Sequence, residues 1–256
     1  MSIDITVADH IATIVLNRPE RMNAFDREHY TDLSRAFETV RDDPEIRVAI
    51  VTGQGIKAFS TGSDLKSIPF SMELSNLLLT QKDLLPNRGM EIWKPIVCAV
   101  NGHCLGGGMC LMMATDIRIA AQHATFGLSE VTRGLIAGNG GTQRILDQLP
   151  YPLAMEMLLT GDSIDASTAA RWGLVNKVVA AEDLMPTARA YAKKIAANAP
   201  LAVQGAKELA HRSKEVDMRM GLRMEQFMLR ALLGSDDGKE GIEAFTEKRP
   251  SNFVGR

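Results

Sequence analysis

The sequence is poor in cysteine: Cys98, Cys104 and Cys110 are the only three among 256 residues. Three thiols make no even disulfide framework, and their spacing matches no paired zinc-ligand pattern. They read as small core hydrophobes of a chain kept in a reducing compartment. Aromatic residues are scarce too, at 5 %. No apolar run reaches the roughly 18 residues needed to span a bilayer. The opening Met1-Ser2-Ile3-Asp4 has neither a basic nor an apolar stretch, which predicts no secretory signal and a cytoplasmic protein. Neither sign of charge dominates, since 29 Lys and Arg face 31 Asp and Glu for a formal net charge of −2. That balance leaves no broad basic surface for nucleic acid or for an anionic membrane. Nucleophile-elbow, phosphate-loop, zinc-protease and dinucleotide motifs are missing as well, so neither a metal nor a nicotinamide cofactor is expected.

What is present is the composition of a folded globular chain, 45 % hydrophobic and 23 % charged, without a linker or a repeat that would divide it. Short β-branched runs at 3–7, 11–16, 48–52, 96–100, 117–120 and 174–179 read as strands, the first two joined as a hairpin across Ala8-Asp9-His10. Between them, residues 27–40 carry Tyr30, Leu33, Ala36, Phe37 and Val40 at helical spacing behind Asp26 as N-cap. Strands alternating with helices predict an α/β fold. Beyond residue 180 the strand signal stops, and 184–198, 201–214, 218–233 and 239–248 read as helices. The chain therefore divides into a core over 1–180 and a helical region over 181–256. In the third of these helices Met220, Met224, Phe227, Met228, Ala231 and Leu232 form one apolar stripe, suited to packing on the body or on a neighbouring subunit.

Three segments carry more than periodicity. Lys57-Ala58-Phe59-Ser60-Thr61-Gly62-Ser63-Asp64-Leu65-Lys66 follows a strand, and a short helix opening at Ser63-Asp64 would leave amides free. It is either an anion-binding bend or an ordinary capped turn. The second, 99–110, runs from a strand through Gly106-Gly107-Gly108 into a helix, where absent Cβ atoms let a ligand, or simply a neighbouring strand, approach the backbone. The third, 126–144, sets one carboxylate, Glu130, between a strand-like piece and a second glycine-rich turn. His103 and His123 have no acid or nucleophile at motif spacing and read as surface or capping residues.

Together, K-A-F-S-T-G-S-D-L-K at 57–66, A-V-N-G-H-C-L-G-G-G-M at 99–109, F-G-L-S-E-V-T-R-G-L at 126–135, G-G-T-Q-R at 140–144, G-I-E-A-F-T-E-K-R at 241–249 and N-R-P-E-R-M-N-A-F at 17–25 resemble the crotonase, or enoyl-CoA hydratase/isomerase, superfamily over 3–256. The resemblance implies a spiral of ββα units followed by a helical region that builds trimers or dimers of trimers and closes the acyl-CoA site. It implies an acyl-CoA thioester substrate of the kind met in fatty acid metabolism, with coenzyme A arriving as part of that substrate and no separate cofactor.

By the same resemblance, the amides of Ser63 and Gly107 form an oxyanion hole for the thioester enolate, and Glu130 is the acid/base. Ala58, Thr61, Gly62, Asp64, Leu65, Gly106, Cys110 and Asn139 fall at substrate-contacting positions, and Arg21 and Lys57 near the nucleotide end of coenzyme A. Leu74, Leu77, Leu78, Leu84, Leu85, Met90 and Ile92 occupy the segment that walls the acyl channel in relatives. One departure bears on the chemistry: hydratases of the family carry a second glutamate where this chain has Cys110. A thiol cannot replace an anionic carboxylate that orients water. Isomerisation by the single Glu130 and hydration both stay open, as do decarboxylation, C–C cleavage and dehalogenation on the same oxyanion hole. A non-catalytic, RNA-binding relative is the alternative of another class. The stretch 66–94, with only Lys66, Lys82, Arg88 and Lys94 as cations, is too sparse to track phosphates.

Overall fold

The computed structural model describes residues 2–67 and 84–256. Its strands are β1 (Ile3–Ala8), β2 (Ile11–Leu16), β3 (Val48–Gly53), β4 (Ala58–Ser60), β5 (Ile96–Val100), β6 (His103–Leu105), β7 (Ile117–Ala121), β8 (Thr125–Gly127), β9 (Ser163–Asp165) and β10 (Lys177–Val179). The α-helices are α1 (Arg27–Asp42), α2 (Gly107–Met113), α3 (Gly141–Gln148), α4 (Tyr151–Thr160), α5 (Ala166–Arg171), α6 (Leu184–Ala196), α7 (Pro200–Arg212), α8 (Met218–Gly234) and α9 (Asp236–Glu247). Leu74, Leu77, Leu78 and Lys82 lie outside the described residues.

Two sheets organise the fold. The larger has the order β1-β2-β3-β5-β7-β10, antiparallel between β1 and β2 and parallel from there on. The expected hairpin is present: Asp9 and His10 take left-handed backbone, φ 51° and 62°, which gives a two-residue turn the twist of its strands. The smaller sheet has the order β4-β6-β8-β9, with β4, β6 and β8 parallel and β9 antiparallel to β8. The chain passes from the large sheet to the small one three times, β3 into β4, β5 into β6 and β7 into β8. The second passage continues into α2, giving the ββα spiral that the sequence led us to expect.

Burial follows from this layering. α1 begins where Asp26 accepts a hydrogen bond from the His29 amide at 3.0 Å, and it buries Leu33, Ala36, Phe37 and Val40 against the core that also holds Phe59, Met109, Met112 and Phe126. On the opposite face of the large sheet, Val48, Ile50, Val97, Ala99 and Ile119 pack on α6. That helix presents Leu184, Ala188, Ala192 and Ala196, one residue per turn, all buried. Small side chains at i, i+4, i+8 let the helix lie close on the β-branched sheet surface.

Several local expectations need correction. No helix opens at Ser63; it is extended, bridged in parallel to Phe25, and the chain turns at 65–67. The strand expected over 174–179 is reduced to β10, because the amides of Leu174 and Val175 turn back onto the Ala169 carbonyl and cap α5 instead. Of the segment expected to wall the acyl channel, Leu85, Met90 and Ile92 are buried in the core cluster, which leaves that expectation standing. After Val179 the described chain forms no further strand. Among the described residues no helix is long and apolar enough to cross a membrane. The methionine stripe of α8 is split: Met228 packs against Gly205 of α7, whereas Phe227 is 60 % exposed.

Candidate active site

Because β4, β6 and β8 run parallel as neighbours, their carboxyl ends open at one edge of the small sheet. Ser63 lies three residues beyond Ser60, Gly107 two beyond Leu105, and Glu130 three beyond Gly127. Residues far apart in sequence are thereby delivered to one place, the usual location of a site in a parallel sheet.

How closely they meet is read from the glycines. A side chain on Gly62, whose φ is +84°, would put its Cβ 2.5 Å from the Gly107 nitrogen. One on Gly107 would stand 3.3 Å from Gly62 Cα and 3.5 Å from both the Ser63 nitrogen and the Tyr30 hydroxyl. At Gly106, φ +53°, it would meet Glu130 Oε1 at 3.2 Å. Only glycine permits this backbone approach, and at Gly62 and Gly106 only glycine accepts the conformation without strain.

The two amides are free for different reasons. Gly107 opens α2, so its N–H has no intrahelical partner. At Ser63 the cause is strand alternation: the Gly62 carbonyl accepts from the Phe25 amide at 2.7 Å, and the Asp64 amide donates to the Phe25 carbonyl at 2.8 Å. These bonds turn the Ser63 amide to the other side, towards Gly107.

Glu130 sits in the first turn of a short 3-10 helix, Ser129–Arg133. Its Oε2 is buried and has no hydrogen-bond partner among the described residues. Burial pushes its carboxyl above the ordinary 4.5, an effect opposed by its own backbone amide and by the Arg133 charge. A half-withdrawn carboxylate with an unsatisfied oxygen is suited to taking a proton from carbon or water.

Cys110 projects from α2 one turn after Gly107 and donates its thiol proton to the Gly138 carbonyl at 3.2 Å. Burial and the neighbouring Glu130 push this thiol up to about 12, so it is neutral and cannot act as the missing carboxylate. Asn139 has left-handed backbone, φ 55°, and its carbonyl accepts from Arg144 Nη1 at 3.3 Å. Tyr30 stands in the apolar stripe of α1. Its hydroxyl instead reaches the site, 2.8 Å from Ser63 Oγ, while the Arg88 guanidinium stacks 4.7 Å above its ring. The one signal in the sequence was that this position of the apolar stripe carries a polar tip.

Other expected site residues serve the bend. The Asp64 carboxylate is bound by Arg18 Nη1 at 3.0 Å, and Arg18 also reaches Asp26 at 3.1 Å, tying the bend to the start of α1. Ala58 is buried, and its carbonyl accepts from Asn23 Nδ2 at 2.8 Å and Asn101 Nδ2 at 3.0 Å; neither asparagine was singled out from sequence. The Thr61 amide donates to the Met22 carbonyl at 3.2 Å. Leu65 is 41 % exposed. Arg21 and Lys57 are exposed. Lys57 borders a separate groove with Met22, Ile56, His103, His123 and Ala181, where His123 Nε2 lies 2.8 Å from the Ile56 carbonyl.

Comparison with known proteins agrees with this architecture. The family model described as enoyl-CoA hydratase/isomerase matches residues 6–256. The (E)-benzylidenesuccinyl-CoA hydratase of Thauera aromatica is 42 % identical over 257 residues, covering 100 % of both chains. The crotonyl-CoA hydratase of Syntrophomonas wolfei is 38 % identical, covering 97 % of this chain and 96 % of its own. The crystal structure of an enoyl-CoA hydratase from Bacillus anthracis superposes with a TM-score of 0.92 at 34 % identity over 100 % of both chains. With a fold, a site edge and full-length relatives in agreement, the chain belongs to the enoyl-CoA hydratase/isomerase family, the crotonase superfamily.

Proposed function

We propose that the protein adds water to a 2-enoyl-CoA thioester, with the Ser63 and Gly107 amides holding the thioester oxygen and Glu130 carrying the proton. The observation behind this reading is the meeting, at one sheet edge, of two amides and a buried carboxylate oxygen that have no partner among the described residues. As water attacks C3, negative charge collects on the thioester oxygen, where two fixed donors stabilise it; losing one such donor in comparable chemistry costs on the order of 10²–10³ in rate. Glu130, at fixed geometry, supplies the proton transfers. The scheme calls for no added cofactor. The relatives named as hydratases favour hydration over bond migration.

Cys110 favours a second reading, double-bond isomerisation, in which Glu130 takes a proton from C2 and returns it at C4. Purified protein offered 2-enoyl thioesters, crotonyl and benzylidenesuccinyl among them, and 3-enoyl thioesters decides between the two. Hydration predicts loss of the conjugated enoyl absorbance of the 2-enoyl set; isomerisation predicts its gain from the 3-enoyl set. Inactivity on both rejects the acid/base reading.

The groove beside Lys57, with Arg21 near it in sequence, is the candidate berth for the nucleotide end of coenzyme A. Leu222, Phe227, Leu229 and Leu233 of α8 and Phe245 of α9 are all exposed. Apolar surface of that extent supports the reading of 181–256 as the region that assembles trimers or dimers of trimers.

A further inference from the structure

A hydratase with one carboxylate must hold its water with some other group, an inference that rests on the hydratase reading. Where relatives have a second carboxylate, Cys110 offers a neutral thiol already committed to the Gly138 carbonyl. Another hydroxyl lies over the same helix face. A Cβ on Gly107 would come within 3.5 Å of Tyr30 Oη, and Gly107 and Cys110 are three apart on α2, so side chains at these positions share a face. Gly106 and Gly107 are adjacent, and a Cβ on the first would meet Glu130 Oε1 at 3.2 Å while one on the second would meet Tyr30 Oη at 3.5 Å, so the carboxylate and the hydroxyl border the same bend. The phenol is fixed at both ends. Its ring tilts against Phe25 at 5.4 Å beneath the Arg88 guanidinium, and its oxygen is 2.8 Å from Ser63 Oγ. A hydroxyl that donates to Ser63 keeps lone pairs with which to accept from water.

We propose that the Tyr30 hydroxyl holds the attacking water against Glu130, in the role the absent second carboxylate would have. In the step that follows, an O–H bond of the water breaks, its proton passes to Glu130 and its oxygen bonds to C3. The C2=C3 electron pair moves into the thioester as the enolate, held at Ser63 and Gly107. Glu130 then returns its proton to C2, so water has been added and the carboxylate is regenerated. Tyr30 stays neutral and exchanges no proton.

The test separates water handling from enolate chemistry. Tyr30→Phe keeps the ring and removes only the hydroxyl. Hydration of a 2-enoyl-CoA is compared with deuterium uptake at C2 of a saturated acyl-CoA in heavy water, a reaction that needs the oxyanion hole and Glu130 but no attacking water. The expected result is a fall in hydration kcat on the order of 10²-fold, with deuterium uptake reduced less than tenfold. Hydration retained in Tyr30→Phe overturns the proposal. So does an equal loss of both activities, which marks a structural role. A wild-type protein that exchanges at C2 without hydrating any 2-enoyl thioester overturns Tyr30's role and leaves Glu130's intact. A wild-type protein that does neither overturns the hydratase reading, and this proposal with it.

Discussion

Glu130 differs from the surface carboxylates of the chain in what surrounds its two oxygens. Oε1 faces the bare Cα of Gly106, and Oε2 is buried without a partner among the described residues. Glu130→Gln should lower kcat/KM on the enoyl thioester by at least about 10²-fold, because the amide cannot carry the proton. Stability should move the other way. Burial raises the native pKa above the unfolded value near 4.5, so the folded protein holds this proton to higher pH than the unfolded chain. Below that value both states are protonated and the full contribution of the group is present. As pH rises through the raised native value, ionising the buried acid costs stability. Glu130→Gln should therefore melt at or above the wild-type temperature at pH 7, with the gap closing at acid pH; a lower melting temperature at pH 7 would contradict the buried-carboxyl assignment. The catalytic rate of the wild type should show an acid limb above 4.5, since the ionised form is the base. Glu130 could be found in the sequence because its neighbours form a motif. Tyr30 is marked only by its polar tip, since a helix-stripe position does not say whether that tip stays against the core or leaves it.

At the scale of elements, the site depends on β4, β6 and β8, each only three residues long. Such strands lie below the length at which alternation can be read, and this is why the second sheet was not anticipated, whereas the longer runs that became β1, β2, β3, β5 and β7 were. The motifs of the site stood out for the same reason that the strands were hidden: the backbones approach so closely that glycine is forced. Gly62→Ala tests this, since its Cβ would collide with the Gly107 nitrogen in a left-handed conformation. It should cost about 1–3 kcal/mol of stability, measured by denaturant unfolding, and suppress turnover more than coenzyme A binding. At the back of the large sheet, Ala192→Leu should overpack the interface of α6 with the sheet and destabilise by about 1–3 kcal/mol, with little effect on KM. An unchanged unfolding midpoint would show that α6 does not pack as tightly as its alanine stripe requires. The end of α5 is a place where propensity misled: Val175 opens a run with Val178 and Val179 that favours a strand, yet the amides of Leu174 and Val175 cap a helix, a tertiary demand no local pattern encodes.

For the whole molecule, the α/β class and the helical texture beyond residue 180 were legible from periodicity, and the spiral from the resemblance of ordered motifs. Assembly is the property least visible in one chain. The family resemblance implies a trimer or larger, and the apolar side chains exposed on α8 and α9 offer a surface for it; sedimentation velocity should show such an assembly and Phe227→Lys should shift the population towards monomer, whereas a wild-type monomer at micromolar concentration would refute that use of the surface. The central claim is that two main-chain amides, brought together from β4 and β6, polarise a thioester carbonyl beside Glu130. Isotope-edited infrared difference spectroscopy of an enoyl-CoA labelled at its carbonyl carbon, bound to the Glu130→Gln protein so that it does not turn over, tests it most directly. The account predicts a carbonyl stretch at clearly lower frequency than for the same thioester in water. A bound carbonyl at the frequency of the free thioester would contradict it.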